Sequence, residues 1–258
     1  MAAPAPLPRW RHSTGAPERF APEKRATPSR KDALSILVLI LAVAFAVSPW
    51  VSGGFAGFRP GQFPVTDRWP AQPASWAFSI WGPIYIALII ATIIGVMCGG
   101  ADWERAAKPL TVSLAVGVFW VAAANRAPLP ATIMTVSMAT FAILAWVRRG
   151  QSLWQRLPLG LYAGWLTAAS GVAISAALTG YGILPAQTAA ILMLLEVLAV
   201  GLMILARPDS DWTCAPALLW ALTGVIAANL EPMNTTIVAV ASLGLVLLLA
   251  TLWRQLAR

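Results

Sequence analysis

Residues 75–87 read SWAFSIWGPIYIA, the opening of an apolar run that continues to Cys98. Two tryptophans, a phenylalanine, a tyrosine and a Gly-Pro pair stand where a membrane-spanning helix would begin. On a helix, Phe78, Trp81 and Tyr85 are spaced i, i+3, i+7 and project from one face. At 1.5 Å per residue from Trp76, Trp81 lies about 7–8 Å into a bilayer, deeper than an interfacial anchor. The spacing therefore predicts a wall of rings turned toward protein or a hollow. Pro83 has no backbone donor and clashes with the carbonyl of Ser79, which predicts a kink. Gly82 beside it permits close approach, and the freed carbonyl needs a partner that hydrocarbon cannot supply.

Outward from this stretch the whole chain reads as membrane protein. Of 258 residues 59% are hydrophobic and 11% charged, against about 25% charged in soluble domains. The apolar residues fall in runs near the ~17–25 residues that a spanning helix needs. Eight segments qualify: 33–50, 76–98, 109–125, 129–147, 157–178, 184–206, 214–230 and 235–253. The expected fold is all-α, a polytopic membrane helix bundle of eight transmembrane helices. The third and seventh segments are the shortest. Turn formers in NRAPLP (125–130), TGYGILP (179–185) and NLEPMN (229–234) imply antiparallel hairpins.

Charge sets the direction. Eight spans put both ends of the chain on one side, and fifteen of the eighteen basic residues fall there. Only Arg59, Arg68 and Arg126 lie on the other. The excess of Lys and Arg predicts cytoplasmic termini in the inner membrane. Residues 1–32 carry seven of these cations and six prolines, a composition expected to be disordered. Their partner is expected to be anionic lipid, not nucleic acid. The polar leader is long for a signal peptide, so the first span is expected to stay uncleaved.

Little else looks chemical. The single histidine, His12, lies in the tail, so no metal site is expected. Cys98 and Cys214 fall at span ends on the side where thiols stay reduced. No phosphate-cradling loop, nucleophile elbow or metal-ligand spacing occurs, and no span carries a lysine. A catalytic role is not expected, and no cofactor is required. Glu196 is the one carboxyl in mid-span, a functional candidate by default. It reads equally as a structural donor to a backbone carbonyl or Thr223, or as a proton site. Gly160, Gly164 and Ala168, followed by Gly171 and Ser175, form a small-residue ridge that serves either internal packing or a homodimer. Trp50, Trp103, Trp146, Trp154, Trp212 and Trp253 stand at span ends and read as interfacial anchors.

The loop FRPGQFPVTDRWPAQPA (58–74) precedes the aromatic stripe and carries Arg59, Asp67, Arg68 and Trp69. With Trp120 in the outer half of the third span, these residues predict an outward-opening aromatic chamber with guanidinium groups at its rim. Planar hydrophobic anions suit such a place, since rings stack on tryptophan and carboxylates pair with arginine.

PASWAFSIWGPIY (73–85) resembles the second-helix signature of the tryptophan-rich sensory protein and translocator protein family, closest to its longer bacterial members. LPLGLYAGWLTAA (157–169) resembles that family's fifth helix, and LLWALTGVIAA (218–228) a late helix of the longer members. The resemblance implies a five-helix core (33–179) with a three-helix extension (180–258). It also implies a pocket for a tetrapyrrole such as a porphyrin, or a sterol-like ligand, used in sensing or transport. Carried onto this chain, the ligand wall is Trp69, Trp76, Phe78, Trp81, Tyr85, Trp120, Tyr162 and Trp165; Arg59 and Arg68, read from the loop itself, are the expected partners of ligand carboxylates. Two departures stand out: Gly117 and Ala173 occupy places where the family often has asparagine. The competing readings are a proton-linked transporter of another small molecule through Glu196, and a structural partner in a membrane complex.

Overall fold

The computed structural model describes residues 30–65, 68–207 and 211–257. Most of the basic tail, with His12, and Asp67 in the long loop lie outside these residues. Eight α-helices follow in order: α1 Arg30–Ser52, α2 Trp81–Cys98, α3 Ala101–Arg126, α4 Pro128–Val147, α5 Leu153–Gly180, α6 Ala186–Leu205, α7 Ala215–Ala228 and α8 Thr235–Leu256. Seven are long and apolar enough to cross a membrane, counting the 3-10 segment Ser75–Ile80 with α2. The all-helical polytopic bundle expected from the sequence is what the chain forms.

Helix starts follow local chemistry. Asp102 and Glu104 occupy the first turn of α3, where the unpaired N–H groups favour negative charge. Pro128 opens α4, at a position whose missing donor costs nothing. The Asn234 side chain caps α8 by accepting from the backbone N–H of Ile237 at 3.3 Å. Buried hydroxyls are satisfied within their own helices: Thr132, Thr135 and Thr167 donate to the carbonyls of Pro128, Ala131 and Ala163. Hydrocarbon offers no alternative acceptor.

Pro83 does not fall within an established α-helix. Residues Ser75–Ile80 wind as a 3-10 helix and α2 begins only at Trp81, so Pro83 sits in the first α-helical turn, where proline is tolerated. Gly82 and Pro83 are both exposed on the lipid side, and no atom approaches the open face of Gly82. The break is a change of helix type, and it does not open onto the core.

α7 is short, and protein holds both of its ends. At the end bearing the chain termini, Asp211 accepts from Arg149 of the α4–α5 link and, at 2.8 Å, from Arg156 of α5. It also accepts from the Thr213 backbone N–H at 2.9 Å and from the Thr213 hydroxyl. Arg149 lies 4.1 Å over the ring of Trp146, whose indole N–H donates to Thr213 at 3.2 Å. Burial works to raise the pKa of Asp211, but the hydrogen bonds from Thr213, Arg149 and Arg156 outweigh it and hold the carboxyl below its ordinary value. At the other end Asn229 donates to the carbonyl of Pro70 at 2.8 Å. The Arg68 guanidinium donates to the carbonyls of Ala228 and Glu231.

Two of the tryptophans read as anchors belong to the core instead. Trp103 and Trp146 are each 1% exposed, because neighbouring helices offer their N–H groups acceptors. Trp103 donates to Ser35 of α1 at 3.0 Å and fills the space left by Gly95 and Gly99. Trp50 and Trp253, 88% and 74% exposed, do stand out as anchors would. Ser35→Ala removes the acceptor while leaving the indole buried. It is expected to lower stability by about 1–3 kcal/mol, read as a lower unfolding midpoint in detergent.

The small-residue ridge of α5 faces inward. A side chain at Gly160 would strike Thr213, one at Gly164 the carbonyl of Cys214, and one at Gly171 Val197 and Met193 of α6. The glycines thus seat α6 and α7 against α5.

Candidate functional site

The aromatic stripe is turned into the bundle. Trp81 stacks on Tyr85 with ring centroids 5.3 Å apart and planes 17° from parallel. Phe45 of α1 meets both edge-on, at 5.5 and 5.1 Å, and Tyr162 and Trp165 of α5 close the group at 6.5 and 6.1 Å from Trp81. Trp120 lies 6.4 Å from Trp81 and Phe78 lies 5.9 Å from Trp165. Edge-to-face pairs at such distances add about 0.5–1.5 kcal/mol each beyond their buried area, so the cluster is rigid as well as apolar.

Polar tips divide the rings into two kinds. The Tyr162 hydroxyl lies 2.9 Å from Ser113, and the Trp120 indole N–H donates to Thr135 at 2.6 Å. Both are engaged within the bundle. Trp165 and Trp69 are 2% and 7% exposed, yet their indole N–H groups are buried without an acceptor among the described residues. A buried donor left so costs about 1–3 kcal/mol.

Beside the cluster is a cavity with about 40 Å³ of free space, enough for a few waters only. Its walls come from Phe78 and Trp120, from Trp165, Ala168, Val172 and Ala173 of α5, from Met193 and Leu194 of α6, and from Ala221, Leu222 and Val225 of α7. The roof is Phe55, Gly57, Phe58, Gln72 and Pro73 of the long loop. Gly53, Gly54 and Gly57 have φ of 83°, 70° and 112°, conformations that favour glycine, so GGFAGF (53–58) can fold its two phenylalanines over the hollow. Gln72 clasps the roof, accepting from the N–H of Phe58 at 2.9 Å and donating to its carbonyl at 3.3 Å.

The residues expected to form the ligand wall are therefore sorted. Phe78, Trp120 and Trp165 line the cavity, whereas Trp81, Tyr85 and Tyr162 back them. Trp69 packs on Phe63 at 5.1 Å beside the roof. Trp76 stands apart, 44% exposed and edge-on to Trp220 at 5.1 Å, on the face of the helix entry opposite the stripe. Arg68 is spent on the end of α7, as above. Arg59 is exposed and lines an outer groove that shares Phe55, Gly57 and Phe58 with the cavity roof.

The sequence reading passed over Phe45, Phe55 and Phe58 and the contributions of α6 and α7. Gly117 was the signal for Phe45: a Cβ there would lie 2.9 Å from its ring, so the phenylalanine uses the space that glycine leaves. Ala173 lines the cavity with its methyl group alone. The hollow also reaches beyond the first five helices. α7 grips the entry to α2, with Trp220 donating to the carbonyl of Ala77 at 2.8 Å and the N–H of Ala74 donating to Gly224 at 3.0 Å.

Glu196 does not meet Thr223, whose hydroxyl donates to the carbonyl of Leu219. It is exposed on the outer face of α6, in a groove of about 140 Å³ between α5 and α6.

No curated protein and no solved structure matches the chain at a significant level. A family model described as TSPO-like protein matches residues 33–253, from the first helix well into the eighth. The second- and fifth-helix signatures that pointed to this group are the segments supplying the aromatic cluster, and the chain belongs to the TSPO-like protein family.

Proposed function

We propose that the protein binds a planar, hydrophobic, acceptor-bearing ligand in the cavity beneath the Phe55–Phe58 roof, for sensing or transport. A tetrapyrrole is the chemistry that fits best. The observation that carries this reading is Trp165: a ring on the cavity wall whose N–H has no acceptor among the described residues, amid rings suited to stacking. Ligand pockets run to about 300–1,000 Å³, so a cavity with about 40 Å³ of free space must widen. The glycine-hinged roof is the element whose displacement would do so. Arg59, on the outer side of that roof, is the cation available to a ligand carboxylate. The basic ends of the bundle face the cytoplasm in this reading, and the ligand reaches the site from the opposite leaflet or from the bilayer itself.

Porphyrin quenching of intrinsic fluorescence in nanodiscs tests this. Ala173→Phe, which fills the hollow, is expected to weaken the apparent Kd by at least about tenfold, or about 1.4 kcal/mol. Trp165→Phe keeps the ring and removes the donor, and is expected to weaken it by about three- to tenfold. Arg59→Gln should affect a dicarboxylate porphyrin more than its dimethyl ester. Saturable quenching that is the same in the parent and in Ala173→Phe would place the ligand elsewhere.

A further inference from the structure

The groove holding Glu196 and the aromatic cavity share one wall residue, Met193. On the cavity side Met193 stands with Ala168 and Val172; on the groove side it stands with Gly171, Ser175 and Glu196. This unbranched thioether, 6% exposed, lines both spaces, and methionine changes rotamer easily. Gly171 makes the arrangement possible: a Cβ there would lie 2.9 Å from the Met193 side chain and 2.9 Å from the Glu196 carboxylate. Glu196 is in mid-helix, exposed toward lipid, and among the described residues it has no hydrogen-bond or ion-pair partner. A carboxyl so placed in hydrocarbon marks a path or a site, and its chemistry calls for a hydrogen-bond donor.

We propose that the α5–α6 groove is a lateral portal by which a ligand already dissolved in the bilayer reaches the aromatic cavity. Met193 is its gate, and Glu196 receives an N–H or O–H donor of the ligand at the mouth. The occupant is a membrane-soluble amphiphile with such a donor, the pyrrole N–H of a tetrapyrrole being one. This inference rests on the cavity being the binding site, and it concerns the route to that site. A gate governs how fast a ligand enters and leaves, while the cavity walls govern how tightly it is held. Obstructing the groove should therefore slow both rates together and leave Kd nearly unchanged.

Stopped-flow mixing of the protein in liposomes with liposomes preloaded with protoporphyrin tests this, read by quenching. Ser175→Phe fills the groove and Leu192→Phe narrows its mouth from an exposed position, so at least one variant should fold. Either is expected to slow association by about tenfold with Kd within about twofold of the parent. Glu196→Leu is expected to slow it while Glu196→Gln, which keeps hydrogen-bonding capacity, stays near the parent. Unchanged association rates in a folded Ser175→Phe or Leu192→Phe protein would overturn the portal and leave the cavity standing. A parent that shows no saturable quenching at all would overturn the cavity, and the portal with it.

Discussion

Asp211→Ala is expected to lower stability by about 3–5 kcal/mol. The Asp211 side chain is 8% exposed and the Arg149 side chain it meets is 4% exposed, so removing the acid takes a close, water-poor ion-pair partner from a buried guanidinium. A surface ion pair is worth about 0–1 kcal/mol; burial separates the two cases. Asp211 also caps the turn Trp212–Cys214 that feeds α7, so its loss should free that end of the helix and loosen a cavity wall. Unfolding in mixed micelles checks the magnitude, and a shift under about 1 kcal/mol would show that water screens the pair.

The same network has a pH signature. Because the folded carboxyl titrates below its ordinary value, its stabilisation is complete above the ordinary carboxylate range. It is lost as pH falls through the lowered folded value. The stability difference between the parent and Asp211→Asn should therefore stay constant from neutral pH to about pH 5 and shrink only below about pH 4.

Gly164→Ala is expected to lower stability by about 1–3 kcal/mol, although a glycine-to-alanine change inside a helix ordinarily gains up to about 1 kcal/mol. The new methyl group would meet the backbone carbonyl of Cys214, which cannot rotate aside as a side chain would, so α5 and α7 must part. Since α7 supplies Ala221, Leu222 and Val225 to the cavity, ligand binding should weaken in parallel. Gly244→Ala in α8 is the control. Its nearest neighbour would be Leu222 at 3.5 Å, an ordinary contact, and the change should be neutral or stabilising. Equal effects at the two sites would remove close approach as the reason for Gly164.

The helices and most of their limits were legible because membrane insertion writes them into composition. Backbone groups must bond internally in hydrocarbon, so each apolar run between charges or prolines became a helix. The inward turn of Phe78, Trp81 and Tyr85 was legible from spacing for the same reason: large rings at i, i+3, i+7 share a face. Trp76 came from the resemblance and not from that spacing: at about 100° per residue it stands roughly 140–200° around the helix from Phe78, Trp81 and Tyr85, on the opposite face. Trp103 and Trp146 failed differently, since a tryptophan at a span end is an anchor or a core residue depending only on which helix lies beside it.

By itself the amino-acid sequence determined an eight-helix membrane bundle of the TSPO-like family and the stripe of rings on its second helix, because both follow from patterns local to the chain. Tertiary structure alone decided that α6 and α7 complete the cavity, that Arg68 is bound to the end of α7, and that Glu196 faces lipid beside a methionine wall. Those outcomes depend on contacts between residues far apart in sequence. No periodicity encodes which face of one helix will meet which glycine of another.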